Sequence, residues 1–162
     1  MVIGIDPGKN TGIVAIVPDG ARWKVTACNS ISSMGRLTDD NKHIHPGRLQ
    51  ELTRKVLTYV NETTQKHDGP VIFSIEEPFV GRNAATALAQ HAVFSMIVFA
   101  LRAYYERFIL VLPQTLKKFV GFQGKELFAL EVERRWGFKS TSQDVIDAYA
   151  LARYVAEKET VK

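Results

Sequence analysis

The chain has 162 residues, 46% of them hydrophobic and 23% charged, with a net charge of +4 and a pI near 9.2. That length fits one domain, residues 1–162, and that balance is globular rather than disordered. The basic excess is compatible with a polyanionic partner and does not by itself establish one.

One cysteine, Cys28, excludes an internal disulfide, and no metal-ligand spacing surrounds it, which suits a reducing cytoplasm. The chain runs at once into a strand-like stretch, with no basic leader and cleavage site before it. The longest apolar stretch, Ala92 to Leu101, is interrupted by Ser95 and is too short to span a bilayer. A cytoplasmic protein without a membrane partner is expected.

The first element, Val2 to Asp6, is short, β-branched and apolar, and Pro7-Gly8 ends it as a strand. Gly12 to Val17 reads as a second strand closed by Pro18-Asp19-Gly20, and Arg22 to Ser30 as a third. The short connections predict an antiparallel meander. Ser32 to Pro46 is polar and turn-rich, hence a loop. Pro46 then suits a helix start, and Leu49, Leu52, Val56, Leu57 and Val60 recur at helical spacing as far as Lys66.

After Asp68-Gly69-Pro70, Val71 to Glu76 predicts a buried strand, and Asn83 to Glu106 a long alanine-rich helix. Phe108 to Leu112 is another buried strand, ended by Pro113. One or two helices follow around Leu116 to Trp136, and a last one from about Ser142 to Glu157. The order βββ-α-β-α-β-α implies an α/β fold. Its mixed five-stranded sheet combines a three-stranded antiparallel meander with two parallel strands, and helices cover both faces.

Acids recur where these buried strands end. Asp6 closes the first strand, and Glu76 and Glu77 close the fourth. Asp144 and Asp147, three residues apart, share one face of the last helix. Each has an ordinary structural explanation when taken singly. Asp6 suits a turn before Pro-Gly, Asp144 a helix N-terminus, and the glutamates a solvated loop. Asp147 fits less well, because it lies inside an apolar, alanine-rich helix. One shared cause accounts for all of them: hard divalent cations take oxygen ligands, and two such ions can serve both the attacking and the leaving oxygen of a phosphodiester displacement. The residues alone do not separate Glu76 from Glu77.

Three segments resemble the RuvC family of Holliday junction resolvases, which have the RNase H-like fold. "GIDPGKNTG" is similar to the family's opening Gly-Ile-Asp-Pro-Gly followed by Thr-Gly. "SIEEPFVGRNAATALAQ" is similar to its Ile-Glu-x-x-Phe strand end and the helix after it. "QDVIDAYALA" is similar to its closing Asp-x-x-Asp-Ala-x-Ala. The segments occur in the family's order and extend over nearly the whole chain.

The resemblance implies that Asp6, Glu76, Asp144 and Asp147 are four catalytic, metal-binding acids holding two Mg²⁺ ions, with Mn²⁺ as an alternative. Its Ile-Glu-x-x-Phe register selects Glu76 over Glu77. Phe79 falls on an aromatic that can stack on an unpaired base at the junction, with Arg82 and Asn83 beside it as DNA contacts; core packing is the alternative for Phe79. Lys117 matches a family lysine that contacts backbone phosphate. Lys118 and Lys125 are grouped with it, Lys125 at a shorter spacing than the family's, and solvated surface lysines are the plainer reading of all three.

The expected activity is therefore a metal-dependent endonuclease that resolves four-way DNA junctions in recombination and repair. Paired symmetric nicks would leave 5′-phosphate ends. Two cuts need two sites, so a homodimer is implied. Ala89, Val93, Met96, Ile97 and Ala100 on the long helix serve equally as its interface or as monomer core. Two alternatives remain: a broader nuclease for flaps and forks, or a relative of the actin-like ATPase fold. The ATPase fold needs two subdomains where this chain has room for one, and no nucleotide cofactor is expected. The four histidines form no motif, and Trp23 and Trp136 read as packing residues.

Overall fold

The structure, a computed structural model, describes residues 1–39, 43–78, 84–105, 107–121 and 124–160, excluding the side chains of residues 84–86, 125 and 160. Strands β1 (Val2–Asp6), β2 (Asn10–Asp19) and β3 (Arg22–Ser32) form the antiparallel meander. β4 (Ile72–Glu76) and β5 (Phe108–Val111) run parallel to β1, giving the order β3-β2-β1-β4-β5. The expected mixed sheet is present. β2 starts two residues before the expected Gly12, because Asn10 pairs with Ser32 and its Oδ1 accepts from the Ser32 hydroxyl.

Among the described residues five helices accompany the sheet: α1 (Pro46–Thr64), α2 (Ala84–Arg102), α3 (Pro113–Val120), α4 (Lys125–Trp136) and α5 (Gln143–Thr160). Pro46 and Pro113 each stand at the start of a helix, where the missing N–H costs nothing. α1 stops at Thr64, short of the expected Lys66, and α2 stops at Arg102 rather than Glu106. The region expected to hold one or two helices holds two, α3 ending at Gly121 in the left-handed conformation (φ +96°). Among the described residues no helix is long and apolar enough to cross a membrane.

Strand alternation sorts the core into two layers. Ile3, Ile5, Ile13, Ala15, Phe73 and Ile75 face α1 and α2, meeting Leu52, Val56, Val60, Val93, Ile97 and Leu101. Val2, Val14, Ile16 and Ile72 face the other way, onto α3, α4 and α5. Trp136 packs in that second layer, stacked on Phe119 and edge-on to Tyr149, and its indole N–H donates to Glu157. The two layers place helices on both faces of the sheet.

The stripe proposed for α2 divides. Val93 and Ile97 are fully buried within the monomer, whereas Leu88 is 55%, Met96 37% and Phe99 81% exposed. The outward apolar face of α2 is therefore Leu88, Met96 and Phe99, one helical face away from the core residues.

α5 lies unusually close to the sheet. A Cβ added at Gly4 would sit 1.9 Å from the Ala148 carbonyl oxygen, and one at Gly12 would sit 1.9 Å from that of Asp144. Only glycine permits this backbone-on-backbone approach across β1 and β2. The short side chains Ala148 and Ala152 do the same on the helix side, and both are fully buried.

Candidate functional site

Register and pleat bring the acids together. Ile5 pairs with Ile75, so Asp6 and Glu76 end adjacent parallel strands at the same edge of the sheet. Val2 and Ile72 point toward α5, and two-residue alternation sends Asp6 and Glu76 to that same face. Asp6 is also paired with Gly12, the residue on which the Asp144 carbonyl rests. The first turn of α5 is thereby seated over the end of β1.

The result is a cavity of about 350 Å³ lined by Asp6, Glu76, Asp144 and Asp147, together with Gln90, Lys117, Gln143, Pro113, Leu116 and Phe128. A second hollow of about 300 Å³ continues from it past Asp6, Glu76, Lys117 and Gln90 to Pro7, Pro78 and Gln114. Four carboxylates from three chain segments thus face one space. Glu77 does not line it; its backbone N–H donates to the Val111 carbonyl, extending the β4–β5 pairing. The next residue on an extended strand points to the opposite face, which distinguishes the two glutamates where their order in the sequence did not.

Burial pushes the Glu76 carboxyl up to about 7, and the Asp147 charge pushes it in the same direction, while Lys117 opposes both. Glu76 therefore holds its proton to higher pH than an ordinary carboxyl does. The set is all oxygen, which is the chemistry hard divalent cations select. Among the described residues, no three His, Cys, Asp or Glu side chains converge closely enough to hold an ion as they stand.

Lys117 is exposed on α3, with its side chain at the mouth of both hollows. α3 is fixed to α4 by Arg135, which donates to the Phe119 carbonyl and to the buried Glu131 carboxylate. Lys118, the next residue, is exposed and lines neither hollow. Phe79, Arg82 and Asn83 lie outside the described residues, as does the side chain of Lys125.

Two polar residues of the cavity had not been singled out from the sequence. Gln90 lines both hollows from α2. Gln143 donates from Nε2 to Asp147 Oδ1 at 2.8 Å. Its signal was present, since Gln143 and Asp147 are one helical turn apart.

Sheet order, helix placement and the acidic cavity define the class: an RNase H-like α/β fold with its candidate site at the carboxyl ends of adjacent parallel strands. The chain matches no family model and no curated protein. Among solved structures it is similar to Thermus thermophilus RuvC in complex with a Holliday junction substrate (TM-score 0.72, 21% identity, 99% of this chain and 95% of that one). A second Thermus thermophilus RuvC structure gives a TM-score of 0.66 at 20% identity, over the same shares of the two chains. The yeast mitochondrial Holliday junction resolvase Ydc2 gives 0.58 at 15% identity, over 98% of this chain and 80% of that one. The chain has the fold of the RuvC-type resolvases.

Proposed function

We propose that this chain is a divalent-metal-dependent endonuclease that cuts four-way DNA junctions. The observation that carries the reading is the convergence of Asp6, Glu76, Asp144 and Asp147 on one cavity. Solved structures of this fold include a resolvase bound to its Holliday junction, which supports the choice of substrate. Four carboxylates balance two divalent ions, Mg²⁺ or Mn²⁺, and these four residues would hold them. Bound there, such cations would lower the pKa of an attacking water and neutralise charge on the leaving 3′-oxygen.

The protein's own part is positioning and charge. Burial favours the protonated form of the Glu76 carboxyl, whereas a cation would need it ionised, so cation binding there would weaken as pH falls. Lys117 at the cavity mouth meets the scissile strand's phosphate and orients it without reading a base. The water oxygen bonds to phosphorus as the bond to the 3′-oxygen breaks, leaving a 5′-phosphate and a 3′-hydroxyl.

Paired symmetric nicks require two such sites, hence two copies of the chain. The outward face of α2, with Leu88, Met96 and Phe99, supports a homodimer. Phe79, Arg82, Asn83, Lys118 and Lys125 complete the proposed DNA contacts.

The test is a synthetic four-way junction incubated with Mg²⁺ and the wild-type protein, beside the Asp147→Asn variant. Paired symmetric nicks from the wild type alone are expected. No nicking in Mg²⁺ or in Mn²⁺ would refute the reading. Flaps, forks and linear duplex in parallel lanes separate a junction resolvase from a broader branched-DNA nuclease.

A further inference from the structure

The acidic cavity opens at one end of the sheet, and that end continues beyond it on the β3 side. β2 begins there at Asn10 and β3 ends there at Ser32, the two residues being paired. Lys9 is exposed and follows Asp6 by three residues, so their backbones stand within about 11 Å of each other. The segment between β3 and α1, residues 33–45, is tied to this turn, because the Ser33 N–H donates to the Lys9 carbonyl at 3.3 Å. The buried Thr11 holds the turn in its own right, its hydroxyl donating to the Gly8 carbonyl.

The segment has a frame of its own. Leu37 is buried in the core layer that α1 and α2 share with the sheet. The His45 N–H donates to the Leu37 carbonyl and the Asp39 N–H to the His43 carbonyl, with Thr38 bridged to Ile44 between them. Arg48, in the first turn of α1, donates to the Arg36 carbonyl and lies close against Gly35, whose backbone is left-handed (φ +84°). That bond goes to a neutral oxygen, so the guanidinium keeps its charge and its remaining donors. On this frame Arg36 is exposed and Met34 is 71% exposed. The acid beside them, Asp39, is turned to its own loop: it accepts from the His43 N–H and lies 3.4 Å from the His43 ring nitrogen.

Sheet order therefore sets the four acids between two cationic flanks, Lys117 on the β5 side and Lys9, Arg36 and Arg48 on the β3 side. A DNA strand held at Asp6 leaves the cavity in both directions. Its nucleotides advance about 3.4 Å each along a duplex, so about three of them reach the Lys9 turn. An exposed apolar side chain among cations is what proteins that enter a minor groove present to it.

We propose that the segment between β3 and α1, together with Lys9, holds the duplex arm that leaves the cavity on the β3 side. Lys9, Arg36 and Arg48 meet its phosphates, and Met34 enters its groove. This rests on the junction-nuclease reading of the cavity.

The experiment measures binding of a fluorescent four-way junction by anisotropy, in EDTA, from about 50 to about 200 mM salt. Wild type is compared with Lys9→Gln/Arg36→Gln and with Arg22→Gln/Lys24→Gln, a charge-matched pair of exposed residues at the opposite end of β3. Each phosphate contact contributes about 0.9 to the slope of log affinity against log salt. The Lys9→Gln/Arg36→Gln slope should therefore be shallower by about 1.8, and the advantage of wild type over it should shrink about 10-fold across that range. The Arg22→Gln/Lys24→Gln slope should match wild type. Met34→Glu, a change on an exposed side chain, should also weaken binding, and Lys9→Gln alone should lose about half the slope should the double variant misfold.

An unchanged slope in Lys9→Gln/Arg36→Gln would overturn the proposal, and so would an equal drop in both pairs, which would report net charge rather than a surface. A wild type that binds no junction, or binds one and nicks none when Mg²⁺ or Mn²⁺ is added, would refute the nuclease reading itself. A wild type that binds and nicks, beside a Lys9→Gln/Arg36→Gln protein with its slope, removes only this surface.

Discussion

Gly12→Ala should disable the site without touching any of the four acids. The added methyl would stand 1.9 Å from the Asp144 oxygen, 2.3 Å from its carbonyl carbon and 2.9 Å from the Val145 nitrogen. All three are backbone atoms, so no side-chain rotation relieves the overlap. Real Cβ contacts essentially never fall below 3.0 Å, so the first turn of α5 must retreat by at least about 1.1 Å. Asp144 and Asp147 travel with it, whereas Asp6 and Glu76 stay on the sheet. A 1 Å misplacement of a catalytic constellation costs about 100-fold in rate, and overpacking costs about 1–3 kcal/mol in stability. The assay is single-turnover junction nicking in saturating Mg²⁺, with thermal melts to confirm folding. Gly20→Ala is the control: it lies in the hairpin at the far end of β2, with φ +61°, and an added Cβ there would have open space around it, with nothing beyond its chain neighbours within 4 Å. It should cost about 1–2 kcal/mol for the left-handed backbone and leave nicking unchanged. A folded Gly12→Ala protein that nicks at the wild-type rate would refute the claim that α5 is held at the site by backbone contact.

In the absence of divalent ions, stability should decline as pH rises from about 4.5 to about 7. Over that window the folded chain holds the Glu76 proton and the unfolded chain has lost it. The loss is at most about 3 kcal/mol at 1.36 kcal/mol per pH unit, and urea melts at pH 5 and pH 8 in EDTA should show it shrinking in Glu76→Gln. An identical pH slope in the variant would contradict the cause assigned. Lys117→Met removes the charge that opposes the upward shift, so in the same melts the decline should extend to higher pH, and junction cleavage should weaken. Phe99→Glu places a charge on a side chain 81% exposed; sedimentation velocity should show a dimer becoming a monomer, with an unchanged melt of the monomer. A dimer that persists would remove α2 as the interface.

Much of this was legible in the chain itself, because local patterns report on local structure. Apolar runs ending in turn residues marked all five strands, and the meander-then-alternation order gave the mixed sheet. Asp6 and Glu76 were readable as site candidates, since a buried strand that stops on an acid is unusual. Element ends were less legible: Asn10 joins β2 only because Ser32 on the neighbouring strand is there to pair with it. The apolar face of α2 was harder still. Val93 and Met96 look alike in a helical stripe, and only the packing of α2 into the core layer it shares with α1 and the sheet decides that one is core and the other is exposed.

The sequence by itself determined which residue types stand at the strand ends and on the last helix, since hydrophobic periodicity and turn chemistry depend on near neighbours. Only the tertiary structure decided how they meet. Glu76 lines the cavity and Glu77 does not because the pleat sends successive side chains to opposite faces, a separation that the resemblance implied and the residues alone did not make. The closeness of α5 depends on Gly4 and Gly12, residues separated from it by more than a hundred positions. Gln143 became meaningful only when the helix face it shares with Asp147 was seen to open on the acidic cavity. Contacts between distant segments are set by the packing of whole elements, and no local pattern encodes them.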